Sequence, residues 1–271
     1  MDEHLKSTNA LLFGWDNFRE MIKSKWRYTF FLETKSYGVY KNCLSPVETL
    51  ETITELFKTH RGIIKDLPAG TSIFRGRSFK YLDNYDNAKS LGTPPVYCAK
   101  EANRFSPIGQ PAFYGAFDDE TIKREINSID DYLVIGEFYN SRTIKILDLT
   151  DVSEPQEPYN YSNPDTLALL FLSGLSKAVS NPVCDSLGLD YIPTQVFAEY
   201  IRRIRIAYSK IRGIKYWSAK DSNGKNIVLF YSNQQCVDAT KDNKDCLVLK
   251  DCCVYTRNVS FDVYEPLATM Y

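Results

Sequence analysis

Between Pro164 and Val179 the chain reads PDTLALLFLSGLSKAV. Leu167, Leu169, Leu170, Phe171, Leu172 and Leu175 leave no continuous polar side on a helical period. A helix that is apolar nearly all round must be buried. The spacing therefore predicts a central core helix with other elements wrapped around it. Further helices are predicted on both sides. Trp15, Phe18, Met21, Ile22 and Trp26 recur at helical spacing within residues 9–32. Ser45-Pro46-Val47-Glu48 is a capping box with proline at the first helical position. It opens a helix with Val47, Leu50, Ile53, Leu56 and Phe57 on one side. A third helix starts near Pro193 and carries Val196, Phe197, Tyr200, Ile201 and Ile204. Short strands are predicted at 71–74, 111–117, 132–138, 142–149, 213–218 and 226–231, with two further alternating runs at 246–250 and 254–263. Strands and helices mixed in this irregular order define an α+β fold rather than a regular doubly wound one. The boundary is expected at Gly70, with a helical N-terminal module at residues 1–68 and a second domain at 69–271.

Composition narrows the function. A formal net charge of −1 over 271 residues provides no basic field to recruit nucleic acid. No apolar run approaches the length of a membrane span, and no secretory pattern opens the chain, so a cytoplasmic protein is expected. The only histidines are His4 and His60. That scarcity argues against a Ser-His-Asp or Cys-His hydrolase and against His-ligated zinc. Seven scattered cysteines without a CxxC pattern indicate neither a disulfide framework nor a zinc ribbon; buried free thiols are expected. There is no G-x-G-x-x-G and no Walker lysine motif, which leaves a Rossmann dehydrogenase or P-loop ATPase without support. Chemistry without a metal then rests on Arg, Tyr, Glu, Ser or Asn.

Residues 103–125, NRFSPIGQPAFYGAFDDETIKRE, concentrate such residues. The segment reads as turn, short strand and helix, with Asp118 as helix cap. Ile122, Ile126 and Ile129 form the inward stripe, and Glu125 falls on its edge. A carboxylate there either reaches water as a rim residue or faces a polar cleft, because unpaired burial is costly. Upstream, Phe74-Arg75-Gly76-Arg77 ends the predicted strand at 71–74. Guanidinium forks pair with phosphate and glycine permits close approach, so Arg75 and Arg77 suit an anion, although Arg-Gly-Arg is also common on surfaces. Residues 78–100 read as a loop long enough to be a lid. Glu199 falls off its helix's apolar stripe and is expected to pair with Arg202 or Arg203.

Taken together, several segments resemble the RES domain family of bacterial NAD-degrading toxins over roughly residues 69–265. They are Phe74-Arg75, Asn103-Arg104-Phe105-Ser106-Pro107-Ile108-Gly109, Pro111-Ala112-Phe113-Tyr114 with Glu125, Tyr191-Ile192-Pro193-Thr194-Gln195 with Glu199-Tyr200-Ile201, Gly213 to Ser218, and Asn226 to Phe230. At Asn103 the family more often has glycine. The Arg, Glu and Ser of the family name correspond to Arg75 or Arg104, Glu125 and Ser218.

The resemblance implies a fold like that of ADP-ribosyltransferases and NAD as substrate, cleaved by glycohydrolysis or phosphorolysis without a metal. It implies catalytic roles for Glu125, Arg75 and Tyr114, and dinucleotide binding by Arg75, Arg77, Arg104, Tyr114, Ser218 and Asn226. Nicotinamide is already a cationic leaving group, and the transition state resembles an oxocarbenium ion. A carboxylate, a phosphate clamp and an aromatic wall are what such a reaction needs. An antitoxin or other inhibitory protein is the implied partner. The N-terminal module is similar to one found ahead of longer RES proteins, and serves as a dimerisation surface, an inhibitor-docking site or a core extension. Two alternatives stay open: ADP-ribosyl transfer to a protein target, and a non-catalytic nucleotide-binding or interaction module.

Overall fold

The structure, a computed structural model, describes residues 3–32, 44–59, 61–126, 130–152, 154–181, 188–206, 208–239, 244–258 and 263–267. The elements run α1 (Glu3–Ser24), α2 (Pro46–Thr59), β1 (Ile64–Leu67), β2 (Ser72–Phe79), α3 (Ala88–Leu91), β3 (Phe113–Ala116), α4 (Asp119–Glu125), β4 (Tyr132–Asn140), β5 (Ile144–Asp148), α5 (Pro164–Ser180), α6 (Ile192–Arg203), β6 (Arg205–Ile206), β7 (Ser209–Trp217), β8 (Lys225–Leu229), β9 (Cys236–Asp238), β10 (Leu247–Asn258) and β11 (Val263–Pro266). The fold is α+β, as expected. Two compact units share the chain. One holds residues 1–65, 102–107 and 147–211; the other holds 66–101, 108–146 and 212–271.

The first unit is helical. α1 packs on α2, α5 and α6. Trp15, Phe18, Met21 and Ile22 of α1 are buried, as their spacing predicts. The Trp15 ring stacks on Phe18 with centroids 5.2 Å apart and meets Phe197 edge-on at 5.8 Å. The capping box of α2 forms: Glu48 N–H donates to Ser45 Oγ (3.3 Å), and Ser45 N–H donates to Glu48 Oε2 (2.7 Å). α5 buries Leu167, Phe171, Leu172 and Leu175, while Gly174 and Lys177 reach solvent. Glu199 pairs with Arg203 at 3.5 Å on the exposed side of α6.

The second unit is built on a sheet ordered β1-β5-β7-β8-β3-β2-β4-β10-β11, with β9 joined to β10. The registered pairs β7–β8, β8–β3, β3–β2, β2–β4, β4–β10 and β10–β11 are antiparallel; β9 runs parallel to β10. Alternation along the strands separates two apolar faces. One gathers Ile73, Phe113, Val134, Phe138, Ile227, Leu229 and Leu249 with α3 residues Ala88 and Leu91. The other gathers Ala116, Leu133, Ile135 and Tyr255 with Ile122 of α4 and with Phe74 and Ile126.

Several expectations are corrected. The strand predicted at 71–74 continues to Phe79, so Arg75 and Arg77 lie inside β2. The expected loop at 78–100 contains α3 and a 3₁₀ turn at Val96–Cys98. The two runs at 246–250 and 254–263 are largely one strand, because a bulge at Lys250 absorbs the charged pair Lys250-Asp251 without breaking the β4 pairing. α4 stops at Glu125, with Ile126 as its extended cap; Ile129 lies outside the described residues. Of the cysteines, Cys236 and Cys246 are buried free thiols, but Cys98 and Cys253 are exposed. Cys43, Cys184 and His60 fall outside the described residues, as does the side chain of His4. Among the described residues, no helix is long and apolar enough to cross a membrane.

α4 sits on the sheet where β2 has no side chain. A Cβ added at Gly76 would lie 2.5 Å from Ile122 Cγ2 and 3.2 Å from both Ile126 Cγ1 and Leu133 Cδ1. The Ile122 methyl is fixed at a β-branch and moves only with its helix. Gly76→Ala is expected to lower stability by about 1–3 kcal/mol through overpacking, read as a reduced midpoint in urea unfolding.

Candidate active site

α4 positions the acid. Asp118 caps it, accepting from Thr121 N–H at 2.6 Å and from Thr121 Oγ1 at 2.9 Å. Asp119 and Glu120 occupy the first turn, and Lys123 and Arg124 the last, as the helix dipole favours. Glu125 is the final helical residue. A carboxylate is disfavoured at that negative end. Lys220 offsets the cost: its Nζ donates to the Glu125 backbone carbonyl at 2.8 Å.

The carboxylate itself is held through one oxygen. Glu125 Oε1 accepts from Ser218 Oγ at 2.5 Å and from Asn226 Nδ2 at 2.6 Å. Oε2 has no protein partner among the described residues. The Ser218 hydroxyl is saturated, because it also accepts from the N–H groups of Lys220 (3.1 Å) and Asp221 (3.0 Å). With both acceptor directions taken, its single proton goes to Glu125. Asp221 joins this turn back to α4, through Thr121 Oγ1 at 3.2 Å and an ion pair with Arg124 at 3.1 Å. Asn226 is 6% exposed, and its amide orientation follows from the contact, since only Nδ2 can donate to a carboxylate. Its Oδ1 is buried without a partner.

The sheet register adds Tyr114. Asn226 of β8 pairs with Ala116 of β3, and Tyr114 pairs with Val228. Tyr114 and Asn226 therefore project from the same face, that of Ala116 and α4. They are diagonal neighbours, a relation that spans about 7–8 Å and lies within reach of an aromatic side chain.

Arg75 and Arg77 project from the other face. Arg75 pairs with Gly136 and Arg77 with Val134, in line with Ile73 and Phe138. Arg75, 9% exposed, donates from Nε to Leu91 O at 2.9 Å and from Nη1 to Tyr114 O at 2.5 Å. Its guanidinium lies 5.2 Å from the Phe113 ring centroid. Arg77 Nη2 donates to Gly92 O at 2.7 Å. Burial, and then the neighbouring Arg77 cation, push the Arg75 pKa down to about 9, so it remains charged at neutral pH. Burial also lowers that of Arg77. Neither is within ion-pairing distance of a carboxylate among the described residues.

Arg104 belongs to the first unit. Its Nη1 donates to Val179 O, and its guanidinium lies 5.8 Å from the Tyr191 ring centroid. Its carbonyl accepts from Thr194 Oγ1. Gln195 Nε2 secures the preceding turn, donating to Asn103 O at 2.8 Å.

Of the expected site residues, Glu125, Ser218, Asn226 and Tyr114 come together on one face of the sheet. Arg75 and Arg77 form a separate pair on the opposite face. Lys220 escaped the sequence reading. Its available signal was Ser218 standing just ahead of Lys220-Asp221 and the Asn223-Gly224 turn, a position from which a serine folds its hydroxyl back onto the backbone. Among the described residues, no group of three or more His, Cys, Asp or Glu side chains is arranged to hold a metal ion.

The profile of the RES domain matches residues 83–249, well over half the chain. The chain belongs to the RES domain family, and membership fits an NAD-related function. The matched span includes Arg104, Tyr114, Glu125, Ser218 and Asn226; Arg75 and Arg77 precede it. No curated protein matches the chain, and no solved structure does so either.

Ser218→Ala would remove the acceptor of two backbone N–H groups and one of the two donors to Glu125. A stability loss of about 1–3 kcal/mol is expected from these unmet groups, measured by urea denaturation. Lys123→Ala, which touches only exposed or half-buried acids and the Tyr255 ring, is expected to cost less.

Proposed function

We propose that this protein consumes NAD by breaking the bond between nicotinamide and ribose, with Glu125 as the acid that stabilises the reacting sugar. The observation that carries this reading is the state of the Glu125 carboxylate. One oxygen is fixed by two donors from the β7 end and β8, while the other has no partner among the described residues and is assigned to a ligand. An acid clamped in this way does not reorganise as charge develops beside it, which is the basis of electrostatic catalysis.

In the reaction, the C1′–N1 bond breaks and its electron pair leaves with nicotinamide, which becomes neutral. The ribose carbon gains oxocarbenium character. The free oxygen of Glu125 stabilises that positive charge or holds a ribose hydroxyl. Water or inorganic phosphate then adds at C1′ and gives up a proton, releasing ADP-ribose or its phosphate ester. Tyr114, on the same face, supplies a ring for the nicotinamide to stack against and a hydroxyl for hydrogen bonding. Arg75 and Arg77 are not assigned a clamping role at this face, because they project from the other one. No step calls for a histidine or a metal. An activity that drains NAD harms the cell that makes it, so an inhibitory partner or an activation step belongs with this reading.

Incubation of the purified protein with NAD, with and without inorganic phosphate, tests it through released nicotinamide. Glu125→Gln keeps an acceptor for Ser218 and Asn226 but loses the charge. Its rate is expected to fall by about 10²–10³. Near-normal turnover in that variant would remove Glu125 from the mechanism, and label transferred from NAD to protein would redirect the reading to ADP-ribosyl transfer.

A further inference from the structure

Beyond the end of α1 the chain reads KWRYTFFL over residues 25–32. The Trp26 N–H donates back to Met21 O at 3.0 Å and closes the helix end, so Trp26 leaves the buried stripe that holds Trp15, Phe18 and Ile22. A turn and a 3₁₀ segment at Phe30–Leu32 follow, and none of those three residues is buried. Tyr28 is 81% exposed, Phe31 59% and Leu32 69%. Single apolar side chains on a surface are ordinary, but a cluster of them marks an interaction site. Exposures this high belong to side chains that stand out from the surface rather than line a groove. Charge is distributed as unevenly as polarity. The sequence holds no acid between Glu20 and Glu33, while Lys23, Lys25 and Arg27 all fall in that interval. Lys23 is matched by Asp190. Lys25 and Arg27 flank Trp26, and the Lys25 ammonium lies 5.9 Å from the Trp26 ring centroid. Basic and aromatic side chains therefore alternate from 25 to 28, and wholly apolar ones close the segment at 30–32.

We propose that residues 25–32 form a peripheral docking surface for an anionic lipid bilayer. The side-chain types match the layers of such a surface. Trp26 and Tyr28 suit the headgroup level, where one end of the ring is wet. Lys25 and Arg27 carry long apolar stems under charged heads that pair with anionic headgroups. Phe31 and Leu32 supply the apolar end that enters the acyl boundary. The contact is superficial, since among the described residues no helix is long and apolar enough to cross a membrane. Charge and size decide between a bilayer and a second copy of the chain. A two-fold contact through this segment sets Lys25 and Arg27 of one copy against those of the other. An eight-residue segment also falls short of the roughly 20–30 residues a side that a stable interface uses. The proposal stands on the helical unit by itself and does not depend on the NAD-cleaving reading.

The test is co-sedimentation of the full chain with two kinds of vesicle, phosphatidylcholine alone and equal parts phosphatidylcholine and phosphatidylglycerol. Saturable binding to the mixed vesicles is expected, and weaker binding to the neutral ones. The double variant Lys25→Gln/Arg27→Gln is expected to weaken binding to the mixed vesicles about thirtyfold, at roughly fivefold per basic residue near an anionic surface. Phe31→Ser/Leu32→Ser is expected to weaken it at least about tenfold through lost apolar burial. Arg205→Gln, at an exposed position outside the segment, is expected to leave it unchanged. Thermal melts of both double variants that match the parent separate lost binding from lost folding, because none of the four side chains is buried. No binding to the mixed vesicles, equal binding to both kinds, or equal affinities for the parent and both double variants overturns the proposal. Sedimentation equilibrium without lipid probes the other occupant: a dimer that Phe31→Ser/Leu32→Ser dissolves assigns the segment to a second copy of the chain and overturns the proposal as well.

Discussion

An acid at the closing end of a seven-residue helix has little reason to stay there unless something holds it. At Glu125 the partial charge of the helix end opposes the carboxylate, and its half-buried position makes solvent a poor substitute. The surrounding structure answers with three donors. The Lys220 ammonium covers the terminal carbonyl, and the Ser218 hydroxyl and Asn226 amide share one carboxylate oxygen. The two side chains that meet the carboxylate come from the end of β7 and the start of β8, so the sheet fixes where the helix can stop. Gly76 sets how close the helix can approach, because any side chain there would occupy the space of Ile122. Acid, helix and strand ends are mutually dependent, and among the described residues that arrangement leaves the second oxygen of Glu125 without a partner.

The sheet also separates two kinds of polar chemistry that look adjacent in the sequence. Arg75 and Arg77 are one residue either side of Gly76, which lies under α4. They nevertheless project away from the acid, toward the carbonyls that end α3. Buried Arg75 and half-buried Arg77 are stabilised there by backbone carbonyl dipoles, and Arg75 also by the Phe113 ring face, with no carboxylate counter-ion among the described residues. Their role in the fold is to satisfy carbonyls for which a short helix has no further turns.

Most of the architecture was legible from periodicity. The capping box at Ser45 and Glu48, the apolar character of α5 and the α1 stripe needed only local rules. So did Glu125, which stood out as an acid at the edge of an isoleucine stripe. The errors share a cause, which is that tertiary pairing overrides local polarity. On paper the strand ended at Phe74, ahead of Arg75 and Arg77. In the sheet they continue it, since β4 pairs with β2 as far as Phe79 and α3 accepts their donors. The paper boundary after Lys250 likewise falls at a bulge inside one strand. The resemblance named Ser218 and Asn226 as dinucleotide-binding residues, but that they hold Glu125 was not foreseen. No spacing rule connects positions 93 and 101 residues apart, and Lys220 carried no signal beyond a serine before a turn.

The placement of β10 has a consequence for how the protein is made. β4 lies between β2 and β10, and its second partner arrives late: Asn140 pairs with Leu247, and Tyr132 with Thr256. A ribosome adds roughly 5–20 residues per second, so β4 waits several seconds with one edge unpaired. The two residues that grip the acid are translated within that same interval. A nascent or truncated chain that ends before Ser218 has Glu125 without its two side-chain donors. Assembly of the site is thereby delayed until most of the polypeptide has been synthesised, and the open β4 edge in the interim is a point where a chaperone, or a neighbouring nascent chain, can pair.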